Sequence, residues 1–340
     1  MSTLLTLNGD AGGGQLLRSA LTLSLVTGRA FRMTGIRSGR PKPGLMRQHL
    51  TGIHAAAAVG EARVEGAGLH SQELEFRPRT VSGGHHAFAI GTGGSTTLVL
   101  QTILPALVHA PEPSSVRIEG GTHNPMAPPF EFIDECYLPV LRTMGIKASV
   151  TLERAGFMQA GGGALTATIA PVRRWKKLQL TERGTAGATF GRVLHAHLPP
   201  DIARREIATA ARLMEWTEDQ IELRYVEESS GPGNAIMLGA HFTHVCEIST
   251  GVARVGISAE SVATGAAKGL RAYLASPAPV GPLLADQLLL PMALAGGGVF
   301  HTNSITNHTR TNVDLIQRFL PVRFTIDDVS PGVRAVRADG

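Results

Sequence analysis

The sequence predicts a mixed α/β (α+β) protein: one βαβαββ unit occurs three times, and a smaller α/β sandwich interrupts the third copy. Three observations lead there. Strand-like and helix-like runs follow one another in the same order in successive segments. The apolar runs LVLQTILPAL and DQLLLPMALA resemble each other closely, which sets the register between the second and third copies. The third copy opens at KLQLTERG, breaks off, and resumes near residue 280.

The first copy reads as a strand (LLTLNG), a glycine turn, a helix (QLLRSALTLSLVTG), a strand (FRMTGI), a polar loop, and a helix (GLMRQHLTGIHAAAAVG). ARVEGA and QELEFRP close it as strands. The second copy runs HHAFAIG, GGSTTLVLQTILPALVHA, SSVRIEGG, PPFEFIDECYLPVLRTMG, IKASVTLE and GALTATIAPV. Its second helix carries Phe132, Ile133, Cys136, Tyr137, Val140 and Leu141 as one helical stripe. The third copy resumes with GPLLADQLLLPMALAGG, GVFHT, TNVDLIQRFLP, VRFTIDD and GVRAVRA. The expected division is a large discontinuous domain, 1–183 and 278–340, and an inserted domain, 184–277. The insert is expected to carry helices over PDIARREIATAARLMEW and SAESVATGAAKGLRAYLAS.

With 340 residues, 43% of them hydrophobic, the chain has the composition of a well-packed globular protein. MSTLLTLNGD lacks the basic-then-apolar pattern of a signal peptide. Leu16 to Val26, the longest apolar stretch near it, is broken by Arg18, Ser19 and Thr22 and is too short to span a bilayer. A cytoplasmic protein without a membrane partner is expected. Cys136 and Cys246 lie far apart and form neither a disulfide framework nor a CxxC knuckle. His195 and His197 alternate as in a strand, His85 and His86 are adjacent, no carboxylate beside them stands at zinc-type spacing, and zinc is not expected. The net charge is +5, and lysine occurs only at Lys42, Lys147, Lys176, Lys177 and Lys268, so arginine supplies most of the basic residues. That suits phosphate recognition, and it is equally what a codon bias would produce.

Each copy has a loop between its inner strand and second helix: RSGRPKPGLMRQH, GGTHNPMAPP and HTNSITNHTRTN. Related loops in a pseudo-symmetric domain are expected to converge. The first packs Arg37, Arg40, Lys42 and Arg47 beside Gln48 and His49. A solvated basic loop is one reading. The stiffening by prolines and Gly44 favours the other, a site for polyphosphate or a nucleic-acid backbone. Glycine-rich turns at 12–14 and 91–94 open two helices, an arrangement that suits phosphate or merely tight turning, and neither is a Walker A motif. Asp286 is either a favourable first-turn acid or a carboxylate that reads a base or ribose. Gln101, inside an apolar helix, needs a buried partner or a ligand. His308 stands at the start of an amphipathic helix, where neutral imidazole is a nucleophile able to pass on a phosphoryl or nucleotidyl group.

GGGQLLRSALTLSLVTG, IRSGRPKPGLMRQHL, LVLQTILPAL, NPMAPPFEFI, GPGN, LADQLLLPMALAG and HTRTNVDLIQRFLPVRF resemble, in order, motifs of the RNA 3′-terminal phosphate cyclases, over nearly the whole chain. The resemblance implies ATP-dependent conversion of an RNA 3′-terminal phosphate to a 2′,3′-cyclic phosphodiester, through histidine–AMP and RNA–adenylate intermediates. It implies ATP, a divalent metal (Mg²⁺ or Mn²⁺) and an RNA partner. His308 matches the nucleophile. Gln101, Leu283, Leu284, Ala285, Asp286 and Gln287 match the ATP site. Arg18, Arg37, Arg40, Arg47, Gln48 and His49 match polar positions around the phosphates and the RNA end. The family usually has Glu before the GGGQ run. Here Ala11 stands in that place, and Asp10 is the expected substitute metal ligand. Leu283 stands where relatives often carry an aromatic. Two rival readings are a non-catalytic cyclase-like protein of ribosomal RNA processing, which would lack the histidine, and an enolpyruvyl-transferase-like enzyme.

Overall fold

The structure is a computed structural model and describes residues 4–10, 13–158 and 160–340. Strand β1 (Leu5–Asn8), helix α1 (Gly13–Thr27), β2 (Phe31–Thr34), α2 (Arg47–Val59), β3 (Arg63–Glu65) and β4 (Leu74–Arg77) form the first layer. Its sheet has the order β1-β2-β4-β3, with β1 and β2 parallel and the other pairs antiparallel. Next come β5 (Gly84–Ala89), α3 (Thr96–Leu107), β6 (Ser114–Gly120), α4 (Leu138–Thr143), β7 (Ala148–Arg154) and β8 (Gly163–Ile169). That sheet has the order β5-β6-β8-β7, again with only the first pair parallel.

Helix α4 is shorter than expected. The run from Phe132 to Tyr137 is a π-helical turn that passes into α4 at Leu138. The apolar stripe is buried all the same. Helix α2 also starts late, at Arg47, because the preceding residues form a closed loop. Arg37 donates to the carbonyls of Lys42 (2.9 Å) and Gly44 (2.7 Å). Gly44 has φ +76°, and a Cβ there would lie 2.2 Å from the carbonyl oxygen of His70. No other residue fits that turn.

A short β9 (Leu178–Leu180) precedes the fourth sheet, made of β10 (Ala186–Ala196), β11 (Ile221–Tyr225), β12 (Gly233–Phe242) and β13 (Cys246–Val252), in the order β11-β10-β12-β13. Helices α5 (Pro200–Met214) and α6 (Ala259–Leu274) cover one face, burying Val193, Ile236 and Leu238 against Ala210, Ala263 and Leu270. Alternate residues point the other way. Leu194, Met237 and Ile248 join the main core, so this sheet is buried on both faces. At that seam Cys136 and Cys246, distant in sequence, come within hydrogen-bonding reach of each other as free, buried thiols. Sequence separation had kept them apart in expectation; the packing of β13 on the π-helical turn brings them together.

The chain closes with α7 (Pro282–Leu294), β14 (Gly297–Thr302), α8 (Asn307–Phe319), β15 (Arg323–Ser330) and β16 (Val333–Asp339). Their sheet, with β9 at its edge, runs β15-β16-β14-β9, and the pair β9–β14 is parallel. Helices α1, α3 and α7 are buried almost all round, as their nearly continuous apolar sequence requires. The Thr22 hydroxyl in α1 donates to the carbonyl of Thr102 in α3 at 2.7 Å. Helix α8 packs on both α1 and α7 and brings its N-terminus to their common edge. No helix among the described residues is long and apolar enough to cross a membrane.

Candidate active site

His308 is the second residue of α8, exposed, immediately after the N-cap Thr306 and Asn307. The cap is reciprocal. The Thr309 N–H donates to Thr306 Oγ1 and the Thr306 N–H to Thr309 Oγ1, each at 3.0 Å. Both hydroxyl protons then need an acceptor, and Asp286 in α7 supplies it. Its carboxylate lies 2.9 and 3.0 Å from Thr306 Oγ1 and also accepts from Thr309 Oγ1. Asn312 Nδ2 donates to the Asp286 carbonyl at 3.4 Å. Burial pushes the Asp286 carboxyl above its ordinary range, and the two threonine hydroxyls pull it back.

A small cleft opens beside this junction, lined by Gln15, Arg18, Gln101, Asp286, Gln287 and Asn312 among others. His308 precedes Asn312, a lining residue of the cleft, by one helical turn. Arg18 is partly buried, and desolvation lowers its guanidinium to about 10, which leaves it charged at neutral pH. Arg18 also borders Gln48 and His49 on its other side. The first and third loops therefore flank one arginine.

His49 accepts the Met46 N–H on Nδ1 at 3.0 Å, which caps α2 and leaves the ring proton on Nε2. Burial, with the charges of Arg37 and Arg18, lowers it to about 4, so it is neutral at pH 7. A Cβ on Gly14 would lie 2.7 Å from His49 Nε2, and one on Gly13 3.3 Å from the Arg40 guanidinium. The glycines thus let α1 begin directly against the basic loop. The Gln48 Oε1 accepts the Ser95 N–H at 2.9 Å, tying that loop to the second glycine turn. The middle loop packs on the same turn, through Asn124 to the Gly93 carbonyl and Gly121 to Gly94.

The expected residues therefore divide. Arg18, Arg40, Arg47 and His308 make no ion pair among the described residues and are open to a ligand; Arg40 and Arg47 are exposed. Arg37 closes its own loop, Gln48 holds Ser95, and Gln101 donates to Gln287. Leu283 is exposed, but Leu284 and Ala285 are wholly buried, because helical periodicity turns them into the core. Their side chains do not reach the cleft. Asp10 is exposed, and its Oδ1 accepts from the Ser38 hydroxyl at 2.5 Å. Ala11, the other position of that departure, lies outside the described residues. Sequence reasoning missed Gln15, Asn312, Thr306 and Thr309. A threonine pair spaced as a capping box was the available signal for the last two.

A family model for RNA 3′-terminal phosphate cyclase matches residues 10–326. An RNA 3′-terminal phosphate cyclase of Koribacter versatilis (strain Ellin345) is 49% identical over 317 residues, covering 93% of this chain and 89% of the relative. Among solved structures, the enolpyruvyl transferase NikO from Streptomyces tendae aligns with 99% of this chain at 10% identity and a TM-score of 0.38. The alignment spans about half of that protein, 48%, and carries no argument. The matches to the cyclases define the class, an ATP-dependent enzyme of the ligase type. The chain belongs to the RNA 3′-terminal phosphate cyclase family.

Proposed function

We propose that this protein uses ATP to convert an RNA 3′-terminal phosphate into a 2′,3′-cyclic phosphodiester, with His308 as the nucleophile. The observation that carries the reading is the anchoring, by Asp286, of the capping threonines on either side of His308, beside a cleft lined by a charged Arg18 that makes no ion pair among the described residues. An unprotonated ring nitrogen of His308 attacks the α-phosphorus of ATP, the bond to the bridging oxygen breaks, and pyrophosphate leaves. AMP then passes from histidine to the RNA 3′-phosphate. The vicinal 2′-hydroxyl attacks the activated phosphorus, closes the ring and expels AMP.

The chain's own groups suit the charges these steps develop. His308 sits in the first turn of a 13-residue helix, where free N–H groups and the helix dipole favour an anion. Arg18, Arg40 and Arg47 supply three cations for phosphates. Gln15 and exposed Leu283 are the groups available to a nucleoside, and the mutually bonded Gln101 and Gln287 line the same cleft as Gln15. A divalent metal fits less well. Asp10 has one carboxylate oxygen engaged by Ser38, and no group of three His, Cys, Asp or Glu side chains gathers here among the described residues. No step is assigned to a protein-held metal at this place.

The same reading divides the chain into three βαβαββ copies, at 1–183 and 278–340, with 184–277 inserted. The shared strand orders β1-β2-β4-β3, β5-β6-β8-β7 and β9-β14-β16-β15 support it. The experiment is incubation with ATP and an RNA oligonucleotide bearing a 3′-phosphate. The expected product end resists phosphatase and depends on ATP. An end that stays phosphatase-sensitive would refute the reading.

A further inference from the structure

We propose a second site, at the seam between the fourth sheet and the π-helical turn, in which Glu135, His241 and Cys246 bind a divalent cation of the zinc class. One donor atom from each lies within 4.8 Å of the other two. Ligand atoms around a tetrahedral zinc are separated by roughly 3.3–3.8 Å, given metal–ligand bonds of about 2.0–2.3 Å. The three therefore have to close by about an ångström. His241 is placed to do so: it is exposed at the end of β12, with Nε2 4.0 Å from Glu135 Oε2.

Neighbouring side chains hold the donors in place. Arg192 donates to Glu135 Oε1, leaving Oε2 free and orienting the carboxylate. Arg192 itself lies over the Phe190 ring, 4.5 Å from its centroid, and Phe190 stacks on His241 at 4.8 Å. Cys136, the other cysteine of the chain, is a buried free thiol close to Cys246. An open cleft lined by all three donors gives the cation an entry and leaves a position for water. The helix that carries Glu135 is itself irregular. A π-helical turn is rare and costs regular hydrogen bonding, and it occurs where Glu135 and Cys136 meet the sheet.

Binding replaces the Cys246 S–H bond by a sulfur–metal bond and releases one proton to solvent per cation bound. The site joins two bodies of the fold, so the cation acts as a clip between them. It stands apart from the His308 cleft and does not depend on the reaction proposed there.

The test is titration of the reduced, full-length protein with Co²⁺ alone. One equivalent is expected to produce a thiolate-to-cobalt charge-transfer band, displaced by Zn²⁺, with release of one proton. Cys246→Ser should abolish the band and Cys136→Ser should keep it. His241→Ala, a surface change that spares the core, should weaken binding about tenfold or more. As a second readout, Zn²⁺ should slow alkylation of Cys246 in the native protein. Absence of the band in the wild type, its survival in Cys246→Ser, or alkylation indifferent to Zn²⁺ would each overturn the site.

Discussion

The carboxylate of Asp286 lies 2.9 Å from the hydroxyl of Thr306 and thereby fixes the turn from which the helix of His308 departs. Asp286, which reads from sequence as either a base-binding acid or a first-turn acid, lies beyond the first turn of α7, and its carboxylate supports the start of the helix that carries His308.

Asp286→Ala should remove the acceptor of two hydroxyl bonds and cost about 1–3 kcal/mol of stability. Formation of the protein–AMP adduct should slow about tenfold or more, because the helix start loosens. Asp286→Asn, with one acceptor oxygen left, should lie between the two. Stopped-time labelling with α-labelled ATP, beside denaturant unfolding, separates the effects. An Asp286→Ala protein that labels at the wild-type rate would leave the contact purely structural.

Arg40 and Arg47 are exposed and have no carboxylate partner among the described residues, so their replacement should spare the fold. Either alanine variant should slow adduct formation or AMP transfer about tenfold or more, from a lost charge-assisted contact worth ~1.5–3 kcal/mol. Lysine should restore only part of the rate, since it lacks the bidentate fork. Single-turnover rates decide, and unchanged rates in both variants would make the loop a solvated one.

Gly14→Ala places a methyl group 2.7 Å from His49 Nε2. We expect a loss of about 1–3 kcal/mol, typical of overpacking. In a His49→Ala background the same change should cost less than half as much. Unfolding of all four proteins gives the coupling; strictly additive costs would place the strain elsewhere.

Glu206 is buried beside Asn234, whose amide donates to it, and burial raises its carboxyl from 4.5 to about 7. The folded protein thus holds a proton that the unfolded chain gives up near pH 4.5. This contribution to stability is full below pH 4.5 and is lost as pH rises through 7, by about 2–3 kcal/mol. Glu206→Gln should flatten that slope in denaturant titrations at pH 5 and pH 8. A variant with the wild-type slope would assign it to another group.

Much of this was legible in the sequence, for reasons that differ by element. Helices α1, α3 and α7 announced themselves because burial on all sides leaves a continuous apolar run. The basic loop was legible because its glycines and prolines mark positions that only they can occupy, as Gly44 does. Other features depend on contacts between distant segments, which no local pattern encodes. The π-helical turn follows from packing against β13 and keeps the same apolar stripe that a regular helix would. The meeting of Cys136 with Cys246, and of Gln101 with Gln287, is set by how layers stack. Leu284 and Ala285 fell inside a matching motif, yet the helix turns them away from the cleft while Asp286 and Gln287 face it.

The central claim is that His308 carries AMP. Wild-type protein incubated with ATP labelled at the α-phosphate should yield one covalent, acid-labile adduct per chain. His308→Asn, folded normally by circular dichroism, should yield none and should leave RNA 3′-phosphate ends unchanged, since an amide cannot form the phosphoramidate. Labelling of His308→Asn at the wild-type level would contradict the assignment.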